Sequence, residues 1–187
     1  MLGAVGTSLT ASHTTGAWIS ETAWGLPYGD PGSAFQASGG GFSSLFPRPG
    51  YQDGVPGSAA TRGVPDVSAD ASGHTGMAIV LSDGATSMIR GSGGTSASAP
   101  IWAALIALAD QYAGRHLGFV NPVIYQIARS PSYHQAFHDI TLGNNTAQFP
   151  PKTITGYQAA PGWDPVTGWG SPDAQVLIPL LARYAVP

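Results

Sequence analysis

Residues 92–100 read Ser92, Gly93, Gly94, Thr95, Ser96, Ala97, Ser98, Ala99 and Pro100, a run of small residues with an apolar stretch behind it. Such a run suits a strand that turns sharply into a helix. Glycine takes dihedrals that a side chain forbids and lets the backbone approach another group closely. Pro100 lacks an N–H and fits the first turn of a helix, so the spacing predicts a helix that begins just before it. Ile101, Trp102, Leu105, Ile106, Leu108 and Ala109 then recur at near-helical intervals, with alanines on the other faces up to Gly114. That pattern predicts a buried helix. Ser96 falls at its mouth, beside unpaired backbone donors and the positive end of the dipole, where a developing oxyanion is stabilised. The geometry favours acyl transfer by Ser96. A Gly-Thr-Ser triplet on its own reads equally as an N-cap in a Gly/Ser loop.

The 187 residues suffice for one domain, and 43% apolar residues can supply its core. Charged residues make up only 9%, against about 25% in an average globular protein. Low charge suits work in acid, where carboxylates are neutralised and bases left repelling one another. A net charge of -3 with 7 scattered Lys and Arg leaves no basic stripe, so no nucleic-acid partner is expected. Cysteine is absent, which excludes disulfides and thiolate metal sites. No segment has the length of a membrane span, and Met1–Leu9 lacks the make-up of a secretion signal, so no membrane association is expected. Strands are predicted over Ala4–Leu9, Met77–Ser82 and Ser87–Arg90, and helices over Asn121–Arg129 and Ala174–Tyr184, the last kinked or late-starting because of Pro179. Trp18–Trp24 reads as irregular and Asp30–Gly41 as a loop. Neither a repeat nor a domain boundary interrupts residues 1–187.

The Ser92–Pro100 run resembles the serine motif of the subtilisin-like clan and, within it, of the sedolisins, or serine-carboxyl peptidases, which include tripeptidyl peptidases. Five further blocks are similar to sedolisin segments in the family's order: Ser38–Gln52, Arg62–Ser72, Leu117–Tyr125, Phe137–Asn145 and Gly162–Pro172. Together they span nearly the whole chain. The resemblance implies an α/β, subtilisin-like fold, a mostly parallel sheet with helices on both faces, of which this chain would be the C-terminal part. It implies a serine-type endopeptidase or tripeptidyl peptidase acting on peptides or proteins at acid pH, with Ser96 as nucleophile. The family is secreted or lysosomal, and a secretion signal would then belong to a longer precursor. It also implies one calcium ion in the 137–172 loop, held by Asp139, the carbonyls of Ile140, Ala160 and Gly162, and Asp164. Ala160 stands where the family has glycine. On spacing alone, Asp139 and Asp164 read as turn residues, whereas calcium favours such oxygen donors.

A serine hydroxyl needs an adjacent base. In sedolisins a glutamate fills that role, backed by an aspartate, and a second aspartate completes the oxyanion hole. All three precede the segment that Ala4–Thr7 resembles, so the chain is expected to be inactive alone and to need a complementary N-terminal half, or to associate through its open edge. Glu21, the one glutamate, has Gly25 four residues on and reads as structural. Asp30 precedes Pro31 and Gly32 and reads as a turn. Asp66 and Asp70 read as structural, Asp70 with some claim to the cleft. Asp53, Asp83, Asp110 and Asp173 read as turn or surface residues. His134 and His138 are four apart and invite a metal pair with no third ligand; His13, His74 and His116 fall in loops without a triad motif. Trp24, Phe42, Phe46, Tyr51, Trp163 and Trp169 either line a cleft or pack loops down. Three readings stay open: a peptidase polypeptide, a non-catalytic calcium- or peptide-binding relative, and a truncated reading frame.

Overall fold

A computed structural model describes residues 1–25, 36–57 and 60–185. Its strands are β1 (Ala4–Ala11), β2 (Trp18–Ala23), β3 (Gly41–Pro47), β4 (Thr61–Val64), β5 (Val67–Asp70), β6 (Met77–Ser82) and β7 (Ser87–Ser92), followed by β8 (Phe137–His138), β9 (Ala147–Phe149), β10 (Lys152–Ile154) and β11 (Ser171–Pro172). The helices are α1 (Thr95–Ala113), α2 (Asn121–Ala128), α3 (Tyr133–Ala136) and α4 (Ala174–Tyr184). The reading of Asp30 as a turn lies outside the described residues.

β1 is the centre of a three-stranded sheet ordered β2-β1-β5. It runs parallel to β5, with Ala4 opposite Val67 and Thr7 opposite Asp70, and antiparallel to β2. The β1–β5 pair is the parallel component among the described residues, and the other pairings are antiparallel. The Trp18–Trp24 stretch, expected to be irregular, is a strand because β1 supplies its hydrogen bonds. Only its second half alternates, Glu21 and Ala23 turning inward while Trp18 and Ile19 stay exposed, so its period is weak in sequence.

α1 lies on β1 and β5, and α4 packs on α1. Trp102 is 1% exposed and its indole N–H donates to the Ser68 carbonyl at 2.8 Å, locking the helix to β5. Around it gather Val67, Leu105, Ile124, Phe137, Leu177 and Leu181. The helix begins at Thr95, not just before Pro100, so the proline sits inside it. The earlier start is fixed by the Ala97 N–H donating to the Gly94 carbonyl. Pro100 cannot donate to the carbonyl of Ser96, four residues back, which is left without its helical partner. α4 runs through Pro179, its first turn capped by Asp173, whose carboxylate accepts from the N–H groups of Gln175 and Val176. No helix among the described residues is long and apolar enough to cross a membrane.

Candidate active site

The Ser96 turn is fastened to the sheet on three sides. The Gly94 N–H donates to the Ala71 carbonyl at 2.5 Å, and Gly94 has φ +95°, a region that glycine enters without strain. A Cβ on Gly93 would stand 2.5 Å from the Ala71 oxygen and 2.7 Å from the Gly73 nitrogen, so the close approach requires glycine there too. One turn on, the buried Ser98 hydroxyl donates to the Val5 carbonyl of β1 at 2.7 Å. The result is a strand-to-helix turn with Ser96 exposed as the second residue of α1.

Ser96 opens onto a cleft of about 610 Å³ between the 93–96 turn, Trp24, Ser38, Asn145 and the β9–β10 hairpin. Ser38 is held in the wall by accepting from the Gly6 N–H at 2.9 Å. Trp24 is 4% exposed, and its indole N–H has no hydrogen-bond partner among the described residues. None of the described lining residues is an acid, a histidine or a basic residue. Among the described residues, the turn therefore presents a hydroxyl without a base in the cleft lining.

Among the described residues, the carboxylates weighed as substitutes are committed elsewhere, Asp30 lying outside them. Glu21 is buried and accepts from the Thr7 hydroxyl, the Trp18 indole N–H at 3.1 Å and the Ser171 hydroxyl, a structural brace. Asp66 is fully buried and gathers the Arg62 guanidinium at 2.6 Å, Asn121 and Tyr125 at 2.9 Å each, and the Gly3 N–H at 2.7 Å. Asp70 accepts from Thr75 at 2.9 Å and the Leu9 N–H at 3.2 Å and lies outside the lining of the Ser96 cleft. Burial pushes its carboxyl above the ordinary range, an effect those hydrogen bonds partly offset. His134 and His138 do not share a helical face: α3 ends at Ala136, and His138 lies on β8 with its ring stacked on Trp18 at 4.4 Å. Of the aromatic residues weighed as cleft walls, Trp24 alone lines the Ser96 cleft. Trp163 and Trp169 are buried, and Phe42, Phe46 and Tyr51 border a separate groove of about 940 Å³. Sequence reading passed over Phe149 and Ile154, whose strands are three residues long and too short for periodicity to register.

The 137–172 loop brings Asp139, Ile140, Ala160, Gly162 and Asp164 together. The Gly162 N–H donates to Asp139 at 3.0 Å and the Ala160 N–H to Asp164 at 2.9 Å. Thr167 joins the two segments, its hydroxyl 3.4 Å from the Ile140 carbonyl and 3.1 Å from Asp164. Asp164 is 2% exposed, and burial pushes its carboxyl up despite N–H donors from Ala160, Val166 and Thr167. Burial, and beside it the charges of Asp139 and Asp164, also push the Tyr133 hydroxyl up. No cation pairs with either carboxylate among the described residues. No group of three or more His, Cys, Asp or Glu side chains suited to a metal occurs there, so any ion would draw on backbone carbonyls. Asp139 and Asp164 thus accept from the N–H groups of Gly162 and Ala160, and the Ile140 carbonyl meets the Thr167 hydroxyl that also reaches Asp164.

No family model matches the chain. Among curated proteins it is 42% identical over 174 residues to kumamolisin from Bacillus sp. (strain MN-32), covering 89% of the chain and 28% of the relative. It is 36% identical over 173 residues to sedolisin from Pseudomonas sp. (strain 101), covering 91% and 27%. With human tripeptidyl-peptidase 1 the identity is 35% over 164 residues, covering 77% and 27%. Among solved structures it superposes on Pseudomonas sedolisin, a serine-carboxyl proteinase complexed with pseudo-iodotyrostatin, with a TM-score of 0.83 and 31% identity, over 100% of this chain and 47% of that one. The α/β, subtilisin-like expectation thus holds across the whole chain. The chain spans about a quarter of the length of these curated relatives. On this fold and these identities, the chain belongs to the sedolisin family of serine-carboxyl peptidases.

Proposed function

We propose that this chain supplies the nucleophile, Ser96, to a serine-carboxyl peptidase that hydrolyses peptide bonds in acid, and that it is inactive alone. The observation that carries the reading is the exposed Ser96 on a glycine-fastened turn at the head of α1, opening onto a 610 Å³ cleft. Attack by its hydroxyl on a peptide carbonyl leaves the negative oxygen near the first N–H groups of a 19-residue helix. The proton must pass to a base and from there to the leaving amine. A polypeptide equivalent to the remainder of the relatives would bring the acid groups to that neutral cleft.

Without the base, rates of a serine peptidase fall by about a million-fold, and without one oxyanion donor by about a hundred- to a thousand-fold. The purified chain is therefore expected to cleave no peptide at pH 3–7, and mixing it with the complementary portion of a relative to restore cleavage that Ser96→Ala abolishes. Robust cleavage by the chain alone, lost in Ser96→Ala, would overturn the inactivity. A folded chain that binds calcium yet is never rescued is a non-catalytic relative.

Asp139, Asp164 and the carbonyls of Ile140, Ala160 and Gly162 are the groups that would hold one calcium ion. When bound, the ion supplies charge balance and cross-links the loop. Calorimetry on the chelated, folded chain is expected to show one saturable site that Asp164→Asn weakens. A flat titration removes the ion from the picture.

A further inference from the structure

We infer that the β9–β10 hairpin is a specificity wall of the Ser96 cleft, with Phe149 and Ile154 receiving an apolar side chain of the bound peptide. The inference rests on the peptidase reading of the cleft. The two strands pair with Ala147 opposite Ile154 and Phe149 opposite Lys152. Cross-strand partners share a face, so Ala147, Phe149, Lys152 and Ile154 lie on one side of the hairpin, and of these Ala147, Phe149 and Ile154 line the cleft with Ser96. Gln148 and Thr153 take the other side.

The base of the hairpin is braced. The Tyr157 N–H donates to the Asn145 side chain at 2.7 Å and the Asn145 N–H to the Tyr157 carbonyl at 3.2 Å. The Gly156 N–H donates to the Thr146 hydroxyl at 3.1 Å, and the Thr146 N–H to the Asn144 side chain at 2.8 Å. Asn144 and Asn145 are both buried. On this fixed base stand two large apolar side chains that keep much of their surface in water, Phe149 46% and Ile154 57% exposed. Burying that surface against a ligand is favourable, at about 25 cal/mol per Å². The other described lining residues are neutral and Lys152, on the same hairpin face, lies outside the lining, so no described lining group repays the desolvation of a charged side chain. Shape and chemistry together select a phenylalanine- or leucine-sized residue.

The test titrates the full chain with blocked tripeptides, acetyl-Ala-X-Ala-amide, with X as Phe, Leu, Ala or Asp, following by NMR the methyl resonance of Ala147, which lines the cleft and is kept in every variant. Wild type is expected to bind the Phe and Leu peptides about tenfold or more tightly than the Ala and Asp peptides. Phe149→Ser with Ile154→Ser should bring all four to within about threefold while leaving the thermal unfolding curve unchanged. Phe149→Leu, read through the same methyl, should keep the preference. Equal affinities in wild type, or a preference that survives the double substitution, overturn the wall while leaving Ser96 as nucleophile. If no peptide binds, the wall falls, and restored Ser96-dependent cleavage with the complement decides the peptidase reading by itself. If selective binding is found but no complement ever restores Ser96-dependent cleavage, the wall stands and the peptidase reading fails.

Discussion

At the scale of single residues, the positions that shape the Ser96 turn carry no chemistry of their own. Gly93→Ala would force its Cβ to within 2.5 Å of the Ala71 oxygen. Since both neighbours are backbone atoms that cannot swing aside, we expect a loss of about 1–3 kcal/mol, measured by urea unfolding, and a displaced Ser96. Asp66→Ala would strand the Arg62 guanidinium and three other polar partners beneath α2, at a cost of about 3–5 kcal/mol. Asp70 gives a pH dependence of definite sign. Its carboxyl titrates above the ordinary 3.8, so the native state holds that proton more tightly than the unfolded chain. The group costs stability when ionised, above its folded value, and the cost vanishes below the unfolded one. Relative to Asp70→Asn, wild type should therefore gain melting temperature as pH falls from 7 to 3. A difference that stays flat or moves the other way would show that burial does not dominate there.

At the scale of elements, strands and helices with a strong apolar period were legible in the sequence, and those made by pairing alone were not. Met77–Ser82 and Ala174–Tyr184 were read with the bounds observed, and α2 to within one residue. β2 was missed because only Glu21 and Ala23 turn inward. The start of α1 was misplaced because Pro100 was assigned to the first turn, whereas the hydrogen bonds of Gly94 and Ala97 begin the helix at Thr95. The sharp turn that carries Ser96 was legible from glycine spacing, whereas its reading as nucleophile came from the resemblance to sedolisins. The walls opposite it were not legible, since Phe149 and Ile154 reach the cleft only through a hairpin hung from Asn144 and Asn145. Glu21 was read as structural because Gly25 stands four residues on, but the partners that make it a brace were not legible. Its role follows from partners as distant in sequence as Ser171.

At the scale of the whole molecule, apolar surface is left bare beside the Ser96 turn. The β6–β7 hairpin leaves Val80 69% and Ile89 76% exposed, directly before the Ser96 turn. A two-stranded hairpin is marginal in water on its own, and adjoining apolar surface promotes association. The isolated chain is expected to self-associate in analytical ultracentrifugation, and Val80→Lys with Ile89→Lys to shift it toward monomer without lowering its melting temperature. A clean wild-type monomer would show that the hairpin is tolerated bare. The bond from Ser171 to Glu21 has a further consequence, for the order of folding. It closes a loop of 150 residues and completes the set of donors around a carboxylate already enclosed by Thr7 and Trp18. A chain cut short of Ser171 would lack that donor, and loops this long close slowly. Of the three donors to Glu21, Ser171 closes by far the longest loop and is expected to join last.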